Sequence, residues 1–201
     1  IFMYAMIGCL AGILAATSGT FYIFSIFSGK TRPNKATWLI WAVIDGIMLE
    51  SYFRLGARET IFVPCVLFAR AMIIAILLLW FNKSRCKLTF FDKVCIGGAA
   101  ISLISRLGFK DPFVTLLITL VIMAIGAVPT VRKIYIDCGR NENKAAWCFL
   151  VVSFIVNLFA VNYAGRNFLE IVIYPAGIFC IDAVIMFFLL LPYFKGRRVH
   201  S

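Results

Sequence analysis

Seven apolar stretches, near 2–27, 36–53, 60–81, 94–109, 112–131, 145–165 and 168–193, follow one another with only short polar breaks. The hydrocarbon layer of a bilayer is about 30 Å thick and an α-helix rises about 1.5 Å per residue, so about 20 apolar residues make one crossing. Inside lipid each backbone N–H and C=O needs a partner within the protein, and runs of this length find one as helices. The expected fold class is therefore all-α, a polytopic membrane protein with seven transmembrane helices. Composition agrees, with 63% hydrophobic residues against 14% charged, well beyond the roughly 45–50% apolar content of soluble domains. The run from Ile1 to Phe27 has no basic segment ahead of its apolar core and is longer than a signal peptide's, so it is read as the first span.

The net charge of +11 reports orientation rather than a nucleic-acid partner, because its distribution among the breaks is uneven. Lys30, Arg32 and Lys35 follow the first run, Lys83, Arg85, Lys87 and Lys93 the third, and Arg132, Lys133, Arg140 and Lys144 the fifth, while Lys195, Arg197 and Arg198 end the chain. The alternate breaks carry fewer: Arg54, Arg58, Arg106, Lys110 and Arg166. The excess of Lys and Arg on one side predicts an N-terminus outside, a C-terminus inside, and contact with anionic lipids on the cytoplasmic side. Cys9, Cys65, Cys86, Cys95, Cys138, Cys148 and Cys180 show no C-x-x-C spacing, so neither a disulfide framework nor a thiolate metal site is expected.

The chain repeats itself. Residues 34–38 read Asn-Lys-Ala-Thr-Trp and residues 143–147 read Asn-Lys-Ala-Ala-Trp, an offset of 109, and the same offset sets Gly29-Lys30 over Cys138-Gly139. Pro64 and Pro175 stand near the starts of the third and seventh runs. Three helices cross a membrane an odd number of times, so a direct fusion would invert the second copy, and one extra helix restores a parallel orientation. The expected organisation is a first three-helix unit over 1–88, a linker helix over 89–110 and a second unit over 111–201. Parallel repeats related by an axis along the membrane normal are one of the two repeat classes of small transporters.

The stretch Val128-Pro129-Thr130-Val131-Arg132-Lys133-Ile134-Tyr135, a short polar loop and Lys144-Ala145-Ala146-Trp147 resemble the SWEET, SemiSWEET and PQ-loop superfamily. There a helix bent at a Pro-Gln pair leads through a basic turn into a second helix. Pro129-Thr130 stands at that pair in the second unit and Thr20-Phe21 in the first, so the chain resembles a divergent, bacterial-type branch. The resemblance covers the whole chain and implies the 3+1+3 arrangement, with one bundle rocking against the other. Proline in a span frees the carbonyl four residues back. Pro129, Pro64 and Pro175 are accordingly candidate hinges or gates, or plain structural kinks.

Ionisable residues within the runs carry the functional argument. Asp45, Arg70 and Asp182 fall near the middles of the second, third and seventh runs, and each costs at least about 2.5–3.5 kcal/mol at the centre of an isolated helix. They pair into a cluster that only pins helices together, or they line a polar chamber in which the surplus carboxylate could carry a proton or meet a cationic group. Glu50 and Arg54 are four apart and are expected to pair outside this cluster. Trp38, Trp41 and Asp45 share one helix face, and Trp147, Phe154 and Asn157 lie close to a single stripe. The expected substrate site is Trp38, Trp41, Asp45, Arg70, Trp147, Asn157 and Asp182; the alternative for Trp38 and Trp147 is the aromatic belt at the membrane surface. The resemblance implies asparagines on the third helix of each unit for sugar carriers. Arg70 and Asp182 fall near those places, which favours a charged or zwitterionic solute beside a sugar.

The single histidine is His200 in the tail, so no histidine metal centre or Ser-His-Asp triad is available within the membrane. No enzyme activity, cofactor or metal is expected. The expected function is a small-solute transporter working by alternating access, with proton coupling available, in a bacterial inner membrane. The rival is a receptor of the same fold that binds a ligand without moving it. The oligomeric state stays open.

Overall fold

The computed structural model describes residues 2–31, 33, 35–81, 90–108, 111–163, 165 and 167–194. Among these residues there are seven helices and no strands: α1 (Phe2–Phe27), α2 (Lys35–Arg54), α3 (Phe62–Phe81), α4 (Phe90–Gly108), α5 (Pro112–Asp137), α6 (Lys144–Phe159) and α7 (Phe168–Phe194). Four of them, Phe2–Phe27, Phe62–Trp80, Pro112–Asp137 and Phe168–Pro192, are long and apolar enough to cross a bilayer. α2 is diluted by Asp45, Glu50 and Arg54, and α6 has only 16 residues, which at about 1.5 Å per residue spans about 24 Å. Large apolar side chains stand exposed around the bundle, among them Phe24, Ile73, Val121 and Phe187. Such a surface suits lipid and not water, and the chain is a helical membrane protein. Arg32, Lys83, Arg85, Lys87, Lys110, Arg166, Lys195, Arg197 and Arg198, on which much of the expected orientation rests, lie outside the described residues, as does the expected unit boundary at 88–89.

Two helix ends differ from the hydropathy reading. α5 does not stop near 131 but runs to Asp137, because Arg132 and Lys133 prolong the helix beyond the apolar slab. It starts on Asp111, whose carboxylate accepts from Phe113 N at 2.8 Å, with Pro112 in the first turn. It ends where Cys138 turns left-handed at φ 55°. The repeat offset lays Gly29, at φ 70°, over Cys138, so α1 and α5 end with the same backbone device. α6 stops at Phe159 rather than 165, as Asn162 and Gly165 close a turn with Gly165 N donating to Asn162 O at 3.0 Å. Its N-cap is Asn143, which accepts from Ala146 N at 3.1 Å.

α3 packs against both α1 and α2, and α7 against both α5 and α6; α1 lies along α6, α2 along α5, and α4 along α5 and α2. Helix directions follow from the pairs that meet. Gly12 meets Phe62 and Gly19 meets Arg70, so α1 and α3 run together. Gly177 meets Leu120 and Tyr135 meets Phe188, so α5 and α7 also run together. Ser18 Oγ donates to Ala146 O at 2.7 Å and Ser153 Oγ to Ala11 O at 2.8 Å, a reciprocal pair between the antiparallel α1 and α6. Small residues make this closeness possible: Ala11, Ala15 and Ser18 are buried along one stripe of α1.

Candidate functional site

Arg70 lies midway along α3 with its stem against Gly19 of α1, where an added Cβ would come within 3.2 Å of its Cδ. That gap lets the guanidinium lie over the Trp38 ring, 5.6 Å from its centroid. Trp38 is held from two sides, with Tyr22 at 5.2 Å between centroids and the edge of Trp41 at 5.3 Å. Both Trp38 and Trp147 are buried, at 4% and 7% exposure, so neither belongs to an interfacial aromatic belt.

Asp45 from α2 and Asp182 from α7 are 8% and 5% exposed. They line one small cavity of about 30 Å³ together with Arg70, Trp41 and Trp147, and with aliphatic residues such as Leu67, Leu150 and Ile178. Arg70 borders the same cavity as both carboxylates, yet among the described residues no direct ion pair joins the three. Arg70 Nε and Asp182 Oδ2 are buried without a hydrogen-bond partner. A second space, about 10 Å³, shares Trp41, Arg70 and Trp147 with the first and adds Ser18, Tyr22 and Trp38.

Of the residues singled out by sequence, six therefore come together: Trp38, Trp41, Asp45, Arg70, Trp147 and Asp182. Asn157 does not join them. It is fully buried on α6 with both amide atoms unpartnered, and it lines neither space. Glu50 and Arg54 form the expected ion pair. They face a wide apolar groove of about 920 Å³ between α2, α3 and α4, away from the charged cavity. Among the described residues no three His, Cys, Asp or Glu side chains converge.

The prolines differ from one another. Pro64 is the third residue of α3, in the first turn, where the missing N–H forfeits no helical bond, so it opens no gap in the ladder. Pro129 lies inside α5, which continues past it, and Pro175 lies inside α7. Pro175 leaves the Ile171 carbonyl without its helical donor, and the hydroxyl of Tyr52 on α2 fills the place at 3.1 Å.

Residues that the sequence did not single out join the helices on either side of the cavity. On the side where α1 ends and α6 begins, Glu142 accepts from Lys133 Nζ at 2.9 Å and from Trp147 Nε1 at 3.3 Å, and Asn143 Nδ2 donates to Phe21 O at 3.0 Å. On the other, Tyr52 meets Thr60 at 2.6 Å and packs its ring at a tilt against Tyr174 with centroids 4.6 Å apart. An acidic residue inside a basic loop was the one available sign of Glu142; Tyr52 gave none.

No family model, curated protein or solved structure matches this chain. Its chemistry is read from the cavity.

Proposed function

We propose that this chain is a small-solute transporter of the SWEET and PQ-loop type, which moves a polar solute by alternating access around the Asp45–Arg70–Asp182 cavity. The observation that carries the reading is that Asp45 and Arg70 come from α2 and α3 while Asp182 comes from α7, all on one cavity. Charges kept at mid-helix at such cost mark solute and ion pathways in membranes. In this reading α1–α3 and α5–α7 are two parallel triplets with α4 as the linker, all seven helices cross the bilayer, and the N-terminus faces out. The matching packing of α3 and α7 between their neighbours, and the shared direction of α1, α3, α5 and α7, support it. So does the meeting of Trp38 and Trp147, the repeated Trp of each unit, at one space.

At about 30 Å³ the cavity holds a water or two and no metabolite. A larger solute therefore needs the triplets to part at one end. Pro129 and Pro175, inside helices of the second triplet, are where bending is least resisted. The site uses Trp38, Trp41, Asp45, Arg70, Trp147 and Asp182 on a charged or zwitterionic solute. Uptake of a labelled solute panel into proteoliposomes tests this. Asp45→Asn, Arg70→Gln and Asp182→Asn should each cut flux about tenfold or more. Unchanged flux in all three overturns the proposal, and saturable binding without flux identifies the receptor instead.

A further inference from the structure

In a low-dielectric interior a guanidinium and a carboxylate ordinarily close into a direct, often bidentate pair. In the central cavity they do not. Arg70 is drawn aside onto Trp38, its stem running past Gly19, and it makes no ion pair with either aspartate. Asp182, 95% buried by its 5% exposure, lines the cavity with an Oδ2 that receives no hydrogen bond. Asp45 faces the same space from the opposite triplet. With one guanidinium and two carboxylates, the ionised site is one positive charge short.

The space and its walls define what supplies that charge. About 30 Å³ is enough for a water-sized group, which needs roughly 10–15 Å³. A primary ammonium group is of that size and donates three hydrogen bonds to carboxylate oxygens, whereas a quaternary ammonium has no N–H to donate and a sugar brings no charge. The Trp41 and Trp147 rings border the space and favour a cation over an anion. An anion would also meet two carboxylates. We propose that the cavity binds the primary ammonium group of a small organic cation between Asp45 and Asp182, with Arg70 parked on Trp38 and available to return when the amine leaves. This names the substrate class of the transport site above and rests on that reading only for the release step.

The purified full chain in detergent is titrated with methylammonium chloride, with tetramethylammonium chloride, sodium chloride and glucose as comparisons at matched ionic strength. Tryptophan fluorescence and the unfolding midpoint are read. Methylammonium alone should give a saturable response, weakened about tenfold or more in Asp182→Asn and in Asp45→Asn. Should the variants not fold, methylammonium should protect Asp182 of the unaltered protein from labelling by a hydrophobic carbodiimide, and tetramethylammonium should not. No response to methylammonium, an equal response to sodium or tetramethylammonium, a response to glucose alone, or absent protection overturns the proposal. Methylammonium binding without flux in vesicles removes the transport reading and leaves this one standing. Flux of a neutral or anionic solute without amine binding does the reverse.

Discussion

The hydroxyl of Tyr52 donates to the main-chain carbonyl of Ile171 at 3.1 Å, the carbonyl that Pro175 leaves without its helical N–H. A hydroxyl has one proton to give, so Thr60 is the donor in the 2.6 Å contact it shares with Tyr52. The chain Thr60 to Tyr52 to Ile171 thus fastens α2 to α7 at the end of the bundle away from Glu142. The contact is part-buried, so leaving that carbonyl without a donor costs toward the lower end of the usual range, about 1 kcal/mol. Tyr52→Phe should lower stability by about that amount. In a Pro175→Ala background the new alanine supplies its own N–H to Ile171 O, so the same change should cost much less. A double-mutant cycle on unfolding midpoints reads the difference, and equal costs in both backgrounds would remove the link between Tyr52 and Pro175.

Gly8 and Gly97 give opposite expectations for the same substitution. A Cβ on Gly8 would fall 1.7 Å from the Glu59 carbonyl oxygen, a backbone atom that cannot rotate away. Gly8→Ala should therefore force α1 from the turn that leads into α3 and destabilise by about 1–3 kcal/mol. Around Gly97 of α4 nothing lies within 4 Å. Gly97→Ala should be neutral or stabilising by up to about 1 kcal/mol, the helix preference of Ala over Gly. Unfolding of both variants in one detergent measures the contrast, and a Gly8→Ala protein as stable as the unaltered chain would contradict the close contact of α1 with the turn before α3.

Much of the candidate site was legible because a charge inside an apolar run is visible on one line of sequence. Asp45, Arg70 and Asp182 needed no knowledge of packing, and the spacing of Trp38 and Trp41 placed them beside Asp45. Asn157 shows the limit. Its position on the stripe of Trp147 and Phe154 correctly marks a buried face, but a face does not say which cavity it borders. Trp147 and Leu150 reach the charged space, and Asn157, further along α6, does not. Hydropathy found the lipid slab rather than the helix in α5, whose last turns carry Arg132 and Lys133. The contacts that join distant segments, Ser18 with Ala146, Ser153 with Ala11 and Tyr52 with Ile171, are set by the packed bundle and have no local signature.

Arg70 and Asp182 should be coupled although they do not touch as an ion pair. Arg70→Gln leaves two carboxylates on the cavity of about 30 Å³ with no cation beside them, and repulsion in a low-dielectric space is costly. Adding Asp182→Asn removes one of the two charges and restores the net charge of the unaltered site. The double variant should thus be more stable than Arg70→Gln alone, by a coupling of about 0.5–3 kcal/mol. Substitution at an uncharged position on the same cavity, such as Ile178→Val, should show no such rescue and should add its own small packing cost of about 0.5–1.5 kcal/mol. Unfolding midpoints of the three combinations decide the matter. If Arg70→Gln and Asp182→Asn were simply additive, the guanidinium would not be balancing the aspartates, and its seat on Trp38 would be a packing contact alone.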